Sequence, residues 1–137
     1  PPPEINLTNE KNNGLAVLKL INDNLVQSAH DISSGGILVS LAEMSMFSGL
    51  GLKIFKPKKL TNHIEYFFGE DQGRYLIEIS PNNKSKVENI LKKNNVFFDH
   101  VAEVQDDTFE IEKILNLKIK DLHFYNNQWY KKYNGIN

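Results

Sequence analysis

Apolar residues recur at three- and four-residue spacings through "NEKNNGLAVLKLINDN", where Leu15, Leu18, Ile21 and Leu25 predict a helix over roughly 10–22. Residues 1–8, led by Pro1, Pro2 and Pro3, read as extended chain. "LVQSAH" is a short strand that runs into the polar stretch "HDISSGG", and "GGILVSLAEMSMFSG" then places Ile37, Leu38, Leu41, Ala42 and Met44 on an amphipathic helix closed by Gly49. Further along, "GLKIF" predicts a strand, "KPKK" (56–59) a solvated turn, and "TNHIEYFF" a short helix with Thr61 as its N-cap. "RYLIEIS" alternates as a strand does, and "SPNNKSKVENILKKNN" follows as a helix with Ser80 as cap and Pro81 at its first position. "FFDHVAEVQ" and "TFEIEKI" predict two more strands. The tail "LKIKDLHFYNNQWYKKY" ends in a helix carrying Leu122, Trp129 and Tyr133, whose aromatic residues, with Tyr130, are expected to pack in the core. This alternation predicts an α/β (α+β) chain, a mixed β-sheet flanked by helices.

At 137 residues the chain has the size of one domain, and a single domain over 1–137 is expected. Hydrophobic residues at 40% and charged residues at 24% are a globular composition, and no apolar run approaches the roughly 18 to 20 residues of a bilayer span. The charge changes the picture further: a net −1 built from interspersed signs lacks the basic footprint that nucleic acid requires, so neither nucleic acid nor membrane is an expected partner. Zero cysteines exclude a disulfide frame and thiolate metal sites, which fits the cytoplasm. The opening Pro1-Pro2-Pro3, without an initiator methionine, reads as part of a longer polypeptide. Arg74 is the single arginine among 16 basic residues. Lysine shares its charge but lacks its planar five-donor fork, so Arg74 is either a post that needs the fork or a chance surface survivor.

Two clusters carry candidate chemistry. In "HDISSGG" the pair Gly35 and Gly36 permits positive φ or close backbone approach where the next helix begins, and helix-start N–H groups favour an anion. Asp31 and Ser33 either cap that helix or orient a ligand. His30, beside an acid, is either oriented for chemistry or structural. The competing reading is a tight capped turn with no ligand. In "FFGEDQGRYLIEI", Glu70, Asp71, Gln72 and Arg74 lie between aromatic and strand residues, and Arg74 either grips a phosphate or carboxylate or pairs with Glu70. No GxxxxGK[ST], HExxH or GxSxG pattern occurs, and His63, His100 and His123 show no ligand spacing.

"HDISSGGILVSLAEM", followed about 30 residues later by "FFGEDQGRYLIEI", closely resembles the C-terminal part of the large synthetase subunit of the phosphoribosylformylglycinamidine synthase family. The opening "L..E..NG" pattern and the closing Trp-containing helix are similar too, so the resemblance spans nearly the whole chain. It implies a fold like the C-terminal domain of aminoimidazole ribonucleotide synthetase, and an ATP-dependent carbon–nitrogen ligase of purine biosynthesis. That ligase joins glutamine-derived ammonia to formylglycinamide ribonucleotide, giving the amidine. ATP and Mg2+ are implied for the full enzyme, with no cofactor certain in this part. The implied partners are the remaining domains of the same polypeptide and the glutaminase and small accessory subunits.

Residue by residue, the resemblance carries His30, Asp31, Ser33, Gly35 and Gly36 over as the family's glycine turn, and Glu70, Gln72 and Arg74 as its acid–polar–arginine motif, all substrate- or nucleotide-facing. Ser34 stands where the family usually has an acidic or other small polar residue, so that role is not carried over. Neither catalytic residues nor metal ligands are assigned to this chain, because the family's catalytic histidine and magnesium carboxylates lie in other segments; the chain alone is expected to be inactive. The alternative is a nucleotide-binding or structural interaction module of a related synthetase of the aminoimidazole ribonucleotide, hydrogenase-maturation or selenophosphate type.

Overall fold

A computed structural model of the protein describes residues 5–57 and 62–135. The proline-led start at Pro1–Pro3, the Lys58 and Lys59 half of the lysine turn and the Thr61 cap lie outside the described residues. Contacts divide the chain into two compact units, Pro1–Ser40 with Ile64–Asp99 and Leu41–His63 with His100–Asn137.

In the first unit, helix α1 (Leu7–Asn22) starts at Leu7 rather than near residue 10. The cause is Asn6, whose side chain accepts the Asn9 N–H at 3.0 Å and satisfies one of the open donors of the first turn. Strand β1 (Ser28–Asp31) pairs antiparallel with β3 (Tyr75–Glu78), with Asp31 opposite Tyr75 and His30 opposite Leu76. Helix α3 (His63–Phe68) leads into β3, and α4 (Lys84–Lys93) follows it. The expected helix after Ser80 opens as a separate 3-10 turn, Pro81–Asn83; Pro81 takes its first position, but the Ser80 side chain makes no capping bond. Ala16 and Leu20 of α1 meet Val87 and Leu91 of α4 and Leu25 in a buried cluster, with Ile77, Ile79 and Phe98 against it. The four-residue spacings Ala16–Leu20 and Val87–Leu91 supply this contact stripe, whereas Leu15, Leu18 and Ile21, whose spacing predicts the helix, stay exposed.

Helix α2 (Gly36–Ser48) begins in the first unit and runs into the second. Ile37 and Leu41 are buried as expected, together with Ser40 and Ser45. The second unit holds a four-stranded mixed sheet of β2 (Gly51–Ile54), β4 (Ala102–Gln105), β5 (Thr108–Ile111) and β6 (Leu115–Lys118), in the order β4-β2-β5-β6. The expected mixed sheet with helices is therefore present, and β1 and β3 form a separate pair. β2 runs parallel to β5 and antiparallel to β4, and the registers align Leu52 with Phe109 and Val104, and Ile54 with Ile111 and Ala102. Partners across a ladder share a face, so this face is apolar, while Lys53 sits between Glu103 and Glu110 on the other.

Two expectations are corrected in this unit. Strand β6, which runs from before the expected tail into its first two residues, is not among the expected strands, because the β5–β6 loop turns at Lys113 with φ 61 and carries no Gly, Asn or Asp to announce a hairpin. The helix α5 (Ile119–Tyr133) is present, but Trp129, Tyr130 and Tyr133 are 60%, 59% and 82% exposed and do not form the core; Ile119 is its buried residue. They contact one another instead, Trp129 meeting both tyrosine rings near 6 Å. Among the described residues, no helix is long and apolar enough to cross a membrane.

Candidate functional site

The antiparallel ribbon of β1 and β3 explains why two motifs about forty residues apart meet. Asp31 ends β1 where the glycine turn begins, and Tyr75 opens β3 where "GEDQGR" ends; the register sets these two residues opposite one another. Beyond the strands the ladder continues, with the Ile32 N–H donating to the Arg74 carbonyl at 3.0 Å. An open groove of about 400 Å³ lies there, lined by Asp31, Ser33, Glu70, Gln72 and Arg74 together with Glu10, Ser34 and Tyr75.

The turn itself closes through the Gly36 N–H donating to the Ser33 carbonyl at 3.0 Å. Gly35 and Gly36 have φ +84 and +69, which L side chains rarely adopt. Gly36 carries a second constraint: a Cβ there would lie 2.7–2.8 Å from the backbone of Phe67, Phe68 and Gly69. The start of α2 is thus pressed against the end of α3, and only glycine fits.

The Gly35 N–H, expected to stay open for an external anion, donates to Glu70 Oε1 at 2.8 Å. An internal carboxylate holds the place, and this corrects the picture of a bare anion-binding turn. Arg74 is corrected as well: its partner is Asp71 and not Glu70, with Nη2 3.3 Å from Asp71 Oδ2, and the same nitrogen donates to the Gly69 carbonyl. The guanidinium ties its own loop together while its side chain stays partly exposed at the groove. Glu10, Asp31 and Glu70 against Arg74 give the lining an acidic balance, so the groove favours hydroxyl, amide and N–H groups over an uncompensated phosphate.

His30 does not join this lining. Successive strand residues point to opposite faces, and the ring lies against the neighbouring Asp31, with Nδ1 3.9 Å from its carboxylate. Behind the loop, half-buried Tyr66 has its pKa raised by burial first and by Asp99 second, with Arg74 pulling the other way; the phenol stays neutral. Among the described residues, no group of three or more His, Asp or Glu side chains is arranged to hold a metal ion.

Three participants were not singled out from the sequence: Glu10 and Tyr75 in the lining, and Asn13, whose Nδ2 donates to the Gly73 carbonyl at 2.9 Å. The signal was the spacing of "L..E..NG", since Glu10, Asn13 and Gly14 fall on one helical face.

A family model described as AIR synthase related protein, C-terminal domain, matches residues 3–113. The phosphoribosylformylglycinamidine synthase subunit PurL of Pelagibacter ubique is 45% identical over 97% of this chain and 18% of its own length. The PurL subunit of Bartonella bacilliformis is 37% identical over 98% of this chain and 18% of its own. This chain therefore spans less than a fifth of the curated relatives it matches. Among solved structures, T. maritima PurL complexed with FGAR has a TM-score of 0.71 at 25% identity, covering 82% of this chain and 20% of that one. T. maritima PurL complexed with ATP scores 0.70 at 24% identity, covering 82% and 21%. The structure of PurLQS from Thermotoga maritima scores 0.75 at 23% identity, covering 88% and 22%. The last two share the fold.

Proposed function

Because the chain belongs to the family of AIR synthase related protein C-terminal domains, we propose that residues 1–137 act as the C-terminal domain of a phosphoribosylformylglycinamidine synthase. The full polypeptide uses ATP to turn the amide oxygen of formylglycinamide ribonucleotide into a leaving group. Glutamine-derived ammonia then displaces it and leaves the amidine. In such phosphoryl chemistry the protein positions the reactants and neutralises charge.

The observation that carries this reading is the convergence of Asp31, Ser33, Glu70, Gln72 and Arg74 on one groove, from two separate segments. We assign the groove to the substrate- or nucleotide-facing surface: Asp31 and Ser33 suit hydroxyls, Gln72 suits an amide, and Arg74 suits a phosphate or carboxylate edge. Gly35 and Gly36 belong to this surface as the scaffold of the turn. We place Mg2+, the transferred phosphoryl group and the catalytic residues with other parts of the polypeptide, as the family resemblance implies.

The remaining domains of the same polypeptide are its first partners. Leu7, Leu15, Leu18 and Ile21 leave an apolar stripe exposed on α1, which supports burial against them. Glutaminase and small accessory subunits are proposed as further partners, and the cytoplasm as the compartment, as the family resemblance implies. A product assay with ATP, ammonia and the ribonucleotide tests the reading. The expected outcome is turnover by the full-length polypeptide and none by this chain alone. An inactive full-length polypeptide, or amidine formed by this chain alone, overturns it.

A further inference from the structure

The loop Gly69–Arg74 carries Glu70, Gln72 and Arg74, and bonds at both ends decide where those side chains stand. At its start the Gly69 N–H closes α3 on the Glu65 carbonyl at 2.9 Å, and the Gly35 N–H holds Glu70. At its end Gly73 turns at φ +67, and its carbonyl accepts Asn13 Nδ2 at 2.9 Å, a part-buried bond spanning 60 residues. That carbonyl shares its peptide plane with the Arg74 N–H, so fixing it fixes the direction in which Arg74 enters β3. The helix is close here: a Cβ on Gly73 would lie 3.2–3.3 Å from Cα, Cβ and Cγ of Glu10.

We propose that Asn13 is a positioning residue of the groove. It does not line the groove and touches no ligand; it holds the Gly73–Arg74 peptide so that Gln72 and Arg74 face the same space as Asp31. The role requires an N–H donor at this distance. An isosteric carboxylate would set negative charge against the Gly73 carbonyl and turn the peptide away, which moves Gln72 and Arg74 out of line with Asp31.

This inference rests on the proposed assignment of the groove, and one experiment on the full-length polypeptide separates the two. Asn13→Asp, Asn13→Gln, Gln72→Ala and Arg74→Lys are compared for KM toward formylglycinamide ribonucleotide and ATP, kcat, nucleotide retained on purification, and melting temperature. Asn13→Asp should raise a KM about tenfold or release retained nucleotide, with kcat within about twofold and the melting temperature nearly unchanged. Asn13→Gln, which keeps the donor, should lie closer to the parent. If Gln72→Ala and Arg74→Lys behave as the parent, the groove assignment fails and this inference with it. If they are impaired while Asn13→Asp binds as the parent, or only melts lower, the inference alone is overturned. Should Asn13→Asp not fold, Asn13→Ala is held to the same comparison.

Discussion

Helix α2 has a glycine with positive φ at each end, and the two are held by different causes. Gly49, at φ +74 with its N–H on the Ser45 carbonyl, ends the helix in open space: a Cβ there would meet nothing within 4 Å. Gly36, at φ +69, begins it against the backbone of residues 67–69. One glycine serves backbone conformation alone, and the other also makes room for a neighbouring segment. The first kind ends a helix anywhere. The second marks a place where two segments must approach, and here the segment it admits is the one that runs on into Glu70, Gln72 and Arg74.

Valine at the two ends should separate these causes most widely. At Gly36 the left-handed backbone costs about 1–2 kcal/mol and the overlap with three backbone positions adds to it, so a loss of at least about 3 kcal/mol is expected, enough to lower the melting temperature by roughly 10 °C or to prevent folding. At Gly49 valine meets the same backbone cost and no overlap, so a loss of only about 1–2 kcal/mol is expected. Paired thermal melts check the difference. Equal losses at both ends would mean that α2 does not press on α3 in solution.

The sequence made the open end of α2 fully legible and the crowded end only half so. A helix followed by glycine is a local pattern, and Gly49 was read from it. "HDISSGG" was equally visible as a turn, but what Gly36 makes room for lies about thirty residues away, and no local spacing shows it. The same limit hid the Arg74 partner: three acidic or amide groups lie within four residues, and choosing Asp71 over Glu70 needs the fold, because Glu70 is drawn off by the Gly35 N–H. The helices α1, α2 and α4 and strands β1, β2, β3 and β5 were within reach of periodicity. Strand β6 was not, since its turn relies on a lysine at positive φ, and the α5 aromatics misled because apolar side chains at helical spacing look the same whether a core or a partner surface receives them.

The crowded end can be probed without touching a glycine. The Gly69 carbonyl lies 2.8 Å from the place of a Gly36 Cβ and also accepts Arg74 Nη2, so the arginine holds in place one of the atoms that excludes a side chain. Arg74→Lys keeps the charge and loses the fork that sets Nη2 on the Gly69 carbonyl while Nε reaches the Asp71 carbonyl at 3.5 Å. In the full-length polypeptide we expect kcat/KM to fall about tenfold or retained nucleotide to be lost, with stability changed by no more than about 1 kcal/mol. A variant that melts much lower and turns over normally would make Arg74 a purely structural tie and remove it from the groove.

The smallest effect belongs to the sheet beyond the open end of α2. Gly51, which starts β2, donates to the Asp106 carbonyl, and Ile119, which starts α5, donates to the Asp107 carbonyl. The Asp107 side chain takes the Lys118 ammonium at 2.7 Å and the Thr108 hydroxyl at 3.2 Å. The Lys118 hydrogen bond, first among the causes, lowers the Asp107 pKa below its ordinary value of 3.8. A carboxylate with a depressed folded pKa stabilises the fold fully above its unfolded value, and that contribution is lost as pH falls through the folded one, so the window lies below pH 3.8. Both partners are solvent-exposed, so the contribution is small and screened by salt. Asp107→Asn should therefore melt slightly below the parent near neutral pH and converge with it as pH falls through that window. A large loss at pH 7 would show that this turn, and not the apolar pairing of Leu52 with Phe109 and Ile54 with Ile111, sets the register of the sheet.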